Sequence, residues 1–346
     1  STFIFLWGEV QERVIKTRYD PSKNLVVTVG PRVDTWRPEF AKVFAPDISR
    51  LKGRYGDFIL IICNWGYGQA EKDLGHDPDL IYPDIPSTYI RSAFMSLIRT
   101  LSKQFKNTRI IVRPHPSDLK DYWASKAKKF PANVIVIHEG SISPWIYAAK
   151  TVVHNNCTSG VEAWVGGTPV LAYCPYAESL NNSDLYAVPV NNLGIICRSE
   201  EEVVANIRTP VISERKSRRT VSDLAIEKFI YIDDEQLATE KILSSLGAMR
   251  IKPEVYRIPR YSWLKRVRAL VGSGKWLLRD ILGKSGMHTL SYTRYKNPGI
   301  TIDELRDLVR RLAEIVDIQS DMLQIYQVDK DTFCIFSEEK LGRPDF

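Results

Sequence analysis

Residues His154-Asn155-Asn156-Cys157-Thr158-Ser159-Gly160-Val161-Glu162 carry side chains suited to holding an anion. An apolar run ending in Val152-Val153 delivers the chain to a small polar turn, a helical pattern follows from Gly160, and Thr168-Pro169-Val170-Leu171 starts another strand. Backbone N–H groups at a helix start are unpaired and the helix dipole adds partial positive charge, so a phosphate is favoured there. Thr158, Ser159 and Gly160 are small enough to let it approach. Glu162, read as a first-turn acid, has a carboxylate that can accept hydrogen bonds from two ribose hydroxyls. The chemistry implied is a nucleotide monophosphate or diphosphate at the carboxyl end of a parallel sheet. On these residues alone a second reading stays open, in which Thr158 and Ser159 cap a helix and Glu162 is a solvated acid.

Other turns carry similar signals. Phe58 to Cys63 is a continuous apolar run ending in Asn64-Trp65-Gly66-Tyr67-Gly68, where Asn64, Gly66 and Gly68 allow backbone amides to meet a ligand. Arg109 to Val112 leads to Arg113-Pro114-His115-Pro116-Ser117-Asp118, and the two prolines fix the backbone on either side of the His115 imidazole, beside Arg113. Val134 to Ile137 leads to His138-Glu139-Gly140-Ser141-Ile142-Ser143-Pro144, with Ser143 as N-cap and Pro144 at the first helical position.

These turns need a scaffold of buried strands, and the chain supplies one. Strands at 58–63, 109–112, 134–137, 152–153, 170–173 and 194–197 alternate with helices, of which 89–105 and 199–207 are the clearest. That alternation predicts an α/β fold with a doubly wound parallel sheet. Residues 69–86 read as a long loop. Upstream, Phe3 to Leu6, Glu9 to Tyr19 and Leu25 to Val29 read as strand, helix and strand, either part of an α/β domain whose earlier strands are missing or a small domain completed by other parts of this chain. Downstream, 213–247 reads as helical and 301–328 as one long amphipathic helix opened by a Thr301/Glu304 capping box. The division expected is 1–50 as the remnant of an N-terminal domain, 51–249 as a Rossmann-like nucleotide-binding domain, and 250–346 as a basic, mainly helical extension.

With 346 residues and 44% hydrophobic content the chain can bury more than one core, and no run of 18 or more apolar residues is present. The five cysteines are scattered, without zinc spacing, which points to reduced thiols in a cytoplasmic compartment. The net charge of +7 is concentrated between Arg250 and Arg279, where basic residues interleave with Tyr256, Tyr261, Trp263 and Trp276 and the one acid is Glu254. Cations mixed with interfacial aromatics suit the inner face of a cell membrane rather than nucleic acid, with a plain solvated face as the other reading. Residues 301–328 would pack on a neighbouring domain or on a second copy as a homo-oligomer.

Arg113-Pro114-His115-Pro116, His138-Glu139-Gly140 and His154 to Ala163, in this order at successive strand ends, resemble the nucleotide-binding half of GT-B glycosyltransferases of bacterial surface carbohydrate biosynthesis. The resemblance is nearest to the His-Pro group of capsule Kdo transferases and polysialyltransferases. More distantly the chain is similar to CDP-glycerol glycerophosphotransferases and UDP-N-acetylglucosamine 2-epimerases, which share the Ser-Gly…Glu turn. It covers roughly residues 1 to 210, and the stretch from Trp7-Gly8-Glu9 to Gly30-Pro31-Arg32-Val33-Asp34 looks like the last βαβ unit of the amino-terminal domain of such proteins.

The resemblance implies a nucleotide-sugar donor, CMP-linked by analogy (Kdo or another nonulosonic acid), and a glycan or lipid-linked glycan acceptor in capsule or lipopolysaccharide synthesis. His115 would face the donor phosphate as the catalytic group. Thr158, Ser159 and Gly160 would supply hydrogen bonds, with Asn64, Gly66, Gly68, Arg113, Pro116, Asn156 and Cys157 around the nucleotide. Glu139 to Ser143, together with His138 and Gly140, would line the base and Glu162 the ribose. No Asp-x-Asp stands at a strand end, so neither metal nor cofactor is expected. The alternatives are a CDP-polyol phosphotransferase and a non-catalytic nucleotide-binding scaffold subunit.

Overall fold

Five consecutive apolar residues, Phe58–Ile62, are buried on both faces of a strand at the centre of the fold. The computed structural model describes residues 3–18, 24–62, 80–82, 85–115, 118, 120–175, 188–209, 228–233, 235–247, 281, 299–329 and 332–337. In chain order the first elements are β1 (Phe3–Leu6), α1 (Glu9–Arg18), β2 (Asn24–Val27), α2 (Pro31–Asp34), α3 (Ala45–Tyr55) and β3 (Phe58–Ile62). There follow β4 (Leu80–Tyr82), β5 (Ile85–Pro86), α4 (Ser87–Gln104), β6 (Arg109–Arg113), α5 (Lys120–Ala127), β7 (Val134–Val136), α6 (Ser143–Ala148), β8 (Thr151–His154) and α7 (Thr158–Val165). The remainder are β9 (Val170–Tyr173), α8 (Val188–Asn191), β10 (Ile195–Cys197), α9 (Glu200–Arg208), α10 (Ala238–Gly247), α11 (Ile302–Ile315), β11 (Leu323–Asp329) and β12 (Thr332–Ser337). The described residues belong to two compact units, one within Ser1–Pro38 and Pro46–Ser262, the other within Glu39–Ala45 and Trp263–Phe346.

The first unit holds a six-stranded sheet in the order β10-β9-β8-β3-β6-β7. Every neighbouring pair in it is parallel. The chain builds β3, then β6 and β7 to one side, and returns to place β8, β9 and β10 on the other. Right-handed crossovers in opposite directions put helices on opposite faces. Side chains alternate accordingly: Ile59 and Ile61 pack with Ile90, Phe94, Leu97 and Leu101 of α4 and with Val203 and Ile207 of α9. Phe58, Leu60 and Ile62 face the other way, onto Leu51 of α3, Trp145 and Ile146 of α6 and Ala163 of α7. The doubly wound α/β fold expected from the sequence is the observed one.

In the same unit β1 and β2 form a separate parallel pair. The segment 228–247 returns to them. Tyr231 donates its N–H to the Trp7 carbonyl at 2.7 Å, and Gly8 is needed at the crossing because a Cβ there would lie 2.5 Å from the carbonyl oxygens of Lys228 and Phe229. Buried Asp34 then caps α10, accepting from the amides of Ala238 at 3.0 Å and Thr239 at 3.1 Å.

The second unit contains α11, with its Thr301/Glu304 capping box, and the antiparallel pair β11 and β12. Ile302, Val309, Leu323 and Tyr326 contribute to an open cleft of about 750 Å³ between them.

Three sequence expectations change. The helix expected over 301–328 stops at Ile315, and Leu323–Asp329 is a strand. Asp317 adopts φ 54°, which a helix cannot continue through, and Phe333 to Phe336 supply the pairing partner. The helix expected over 213–247 is, among the described residues, mainly Ala238–Gly247, because 230–233 run in non-helical conformation along the Trp7 segment. In the expected loop 69–86, Leu80–Tyr82 and Ile85–Pro86 form a short antiparallel pair. Residues 63–79, 116–117 and the basic stretch 250–279 lie outside the described residues. Among those described, no helix is long and apolar enough to cross a membrane.

Candidate functional site

Numbered by their order along the chain, the strands of the large sheet run 6-5-4-1-2-3, and β3 and β8 are neighbours from which the chain departs in opposite directions. In open α/β sheets that divergence leaves a crevice at the carboxyl edge. Because all six strands are parallel, the chain leaving β3, β6, β7 and β8 emerges at that one edge. The turns at 113–115, 138–143 and 154–162 are thereby brought to it; Asn64, Gly66, Gly68 and Pro116 lie outside the described residues.

The turn after β8 is held from several sides. Asn155 donates Nδ2 to the Tyr173 carbonyl at 2.8 Å, joining the ends of β8 and β9. Asn156 sits at φ 47° and gives its N–H to Oδ1 of buried Asn191 at 2.6 Å. Cys157, in extended conformation, is the N-cap of α7, and its side chain makes no capping hydrogen bond. Thr158 and Ser159 therefore stand inside the helix rather than capping it, with Thr158 exposed and Ser159 half-buried. Burial pushes the Cys157 thiol up, moderated by the amides and hydroxyl of Ser159 and the amide of Gly160.

His154 is fully buried, and neither ring nitrogen has a hydrogen-bond partner among the described residues. Burial lowers its pKa to about 4, so the ring is neutral. Gly160 sits directly on that ring: a Cβ at position 160 would lie 2.5 Å from Cε1 and 2.6 Å from Nε2. The glycine thus meets a packing requirement independent of any ligand.

Glu162 is 1% exposed, which removes the solvated-acid reading. With α7 starting at Thr158, it falls in the second turn rather than the first. Burial raises its pKa, opposed by a hydrogen bond from Ser143 and by the charge of Arg32. Its Oε1 is buried without a hydrogen-bond partner among the described residues. Ser143 is itself buried as the first residue of α6, where Ile142 takes the N-cap position expected for Ser143.

Arg113, at the end of β6, is buried and spends its guanidinium on the next loop. Nη1 donates to the Glu139 carbonyl at 2.7 Å, Nη2 to the Gly140 carbonyl at 3.0 Å, and the group lies 5.0 Å over the Trp145 ring. Trp145 adds a bond from Nε1 to the Glu139 carbonyl at 2.9 Å. Gly140, at φ 61°, closes the turn. The Glu139 carboxylate, 43% exposed, pairs with Arg50 at 3.1 Å and Arg54 at 3.7 Å. At that exposure such pairs add little stability. His138 is half-buried.

His115 is half-buried in the turn after β6. Its amide donates to Oδ2 of Asp118 at 3.2 Å, and the Asp118 amide donates back to the His115 carbonyl at 2.9 Å. Trp123 Nε1 donates to the same Oδ2 at 3.0 Å. Burial raises the Asp118 pKa to about 6, against the two hydrogen bonds and the charge of Arg91. Roles for Asp118 and Asn191 were not read from the sequence. The spacing of Asp118 three residues after His115 was a usable turn signal; nothing local marks Asn191.

No protein-family model matches the sequence, and no curated protein matches it either. Among solved structures the chain is similar to the wall teichoic acid polymerase TagF in its H444N variant, at 10% identity and TM-score 0.42, over 71% of this chain and 59% of that one. It is similar to the UDP-GlcNAc 2-epimerase of Methanocaldococcus jannaschii in complex with UDP-GlcNAc and UDP, at 13% identity and TM-score 0.44, over 72% of this chain and 62% of that one. Anabaena Alr3699/HepE in complex with UDP-glucose aligns at 12% identity and TM-score 0.35, over 72% of this chain and 64% of that one. The chain thus spans about six-tenths of the length of these structures.

Proposed function

We propose that this chain binds a nucleotide-sugar donor at the carboxyl edge of its large sheet and serves glycosyl transfer as a GT-B type, metal-independent enzyme. The observation that carries the reading is the switch point between β3 and β8, flanked by the turn that the residue types had already marked for anion binding. In this reading a phosphate sits at the start of α7, favoured there by the helix dipole. Glu162 Oε1, a buried acceptor lacking a donor, takes a ribose hydroxyl. The loop 138–143, fixed by Arg113, borders the base. His115 opposes the negative charge that builds on the departing nucleotide, the interaction that lowers the barrier.

A CMP-linked donor, Kdo or another nonulosonic acid as the sugar, a glycan or lipid-linked acceptor and attachment to a membrane through 250–279 extend this reading on the sequence resemblance. The test is a thermal-shift screen against CMP, CDP, UDP, GDP and ADP, since a ligand of the native state raises apparent stability. One nucleotide is expected to raise Tm in the wild type and to lose that effect in Glu162→Gln. CMP would support a nonulosonic acid donor and UDP a hexose donor, whereas CDP would favour polyol-phosphate transfer. No shift with any of the five overturns the reading.

A further inference from the structure

His115 projects from a turn in which both of its backbone polar groups close onto one residue. Its N–H reaches Oδ2 of Asp118 at 3.2 Å, and its carbonyl accepts the Asp118 N–H at 2.9 Å. Pro114, buried before it, restricts the backbone further. The direction of the His115 Cα–Cβ bond is therefore set by Asp118. Asp118 is in turn tied to the interior, because Oδ2 also accepts from Nε1 of Trp123 at 3.0 Å. Trp123 is 5% exposed and packs in the core with α4 and the sheet.

A turn alone does not require this. Ser or Asn closes such turns with no buried charge, whereas a carboxylate under a tryptophan carries a desolvation cost. What the arrangement adds is a rigid connection from the hydrophobic core to the backbone of His115.

We propose that Asp118, braced by Trp123, is the positioning residue for His115, holding its imidazole in a fixed direction at the carboxyl edge of the sheet. The catalytic use of that direction rests on the donor-binding reading above; the positioning itself does not.

The experiment uses the full chain with 13C-labelled histidine, whose five histidines give separable imidazole signals, with His115 assigned by loss of its peak in His115→Ala. In Asp118→Ala the His115 signal is expected to move toward the random-coil position and to report increased side-chain motion, while the other histidine signals stay in place. Asp118→Asn, which keeps an acceptor oxygen at the same point, is expected to restore the wild-type signal. Trp123→Phe keeps the ring in the core but removes the donor, and is expected to shift the His115 signal part of the way, which decides the matter if Asp118→Ala does not fold. An unchanged His115 signal in a folded Asp118→Ala or in Trp123→Phe overturns the proposal.

With a donor in hand, Asp118→Ala should lower kcat by about tenfold or more, with KM within about twofold, because a misaimed group costs rate rather than binding. Asp118→Asn should recover most of that loss. If the wild type binds no nucleotide, the donor reading fails and the His115 signal still decides the positioning.

Discussion

The imidazole of His154 occupies the space that a side chain at position 160 would need, lying 2.5 Å from where a Cβ would stand. The end of β8 and the start of α7 are thereby locked face to face. Gly160→Ala should cost about 1–3 kcal/mol, the usual range for forcing an extra methyl into a packed site. Chemical denaturation measures it. In a His154→Ala background the same substitution should cost much less, and additive losses would show that the ring is not what the methyl meets.

His154 also makes stability depend on pH. The folded ring has a pKa of about 4 against 6.5 for the free group, so between those values the unfolded chain binds more protons than the native one. Stability must then fall as pH drops from about 6.5 to about 4, by up to about 3 kcal/mol. In His154→Leu this part of the acid loss should be absent when unfolding is followed across that window.

Asp118 works in the opposite direction. Its folded pKa of about 6, against 3.8, means that the native state holds a proton the unfolded chain has released, so stability is lost as pH rises from about 4 to about 6. Asp118→Asn should be more stable than wild type at pH 7 by up to about 3 kcal/mol, and equal to it below about pH 4. The difference in midpoint between the two proteins at the two pH values is the measurement.

Arg113→Met should remove both carbonyl contacts, leaving the Glu139 oxygen with Trp145 alone and the Gly140 oxygen without its guanidinium donor, at a cost of about 3 kcal/mol. Arg113→Lys should recover little, because an ammonium lacks the planar fork that spans both oxygens. Urea unfolding of the two variants tests this, and full rescue by Lys would contradict it.

The sheet was legible because its strands are built on short apolar runs buried on both faces, as Phe58–Ile62 and Val170–Tyr173 are. The capping box at Thr301 was legible for a similar reason, since Thr and Glu three residues apart act locally. The end of α11 was not, because Leu323 and Tyr326 fit a helical stripe as well as a strand and only pairing with β12 decides between them. Within the candidate site the sequence pointed to turns that the parallel strands bring to one edge of the sheet. It did not show how they are held: Arg113 serving the neighbouring loop, Asn191 meeting Asn156 across 35 residues, and Gly160 seated on His154 are all products of tertiary placement.

In the proposed function a nucleotide occupies the crevice between β3 and β8. Hydrogen exchange on the full chain, with and without the nucleotide that raises Tm most, tests it most directly. Binding should slow exchange at 156–162 and at 138–143, where the start of α7 and the loop fixed by Arg113 face the crevice, and leave 302–315 unchanged. Protection confined to 302–337, or none at saturating nucleotide, would mean that no nucleotide is held between β3 and β8.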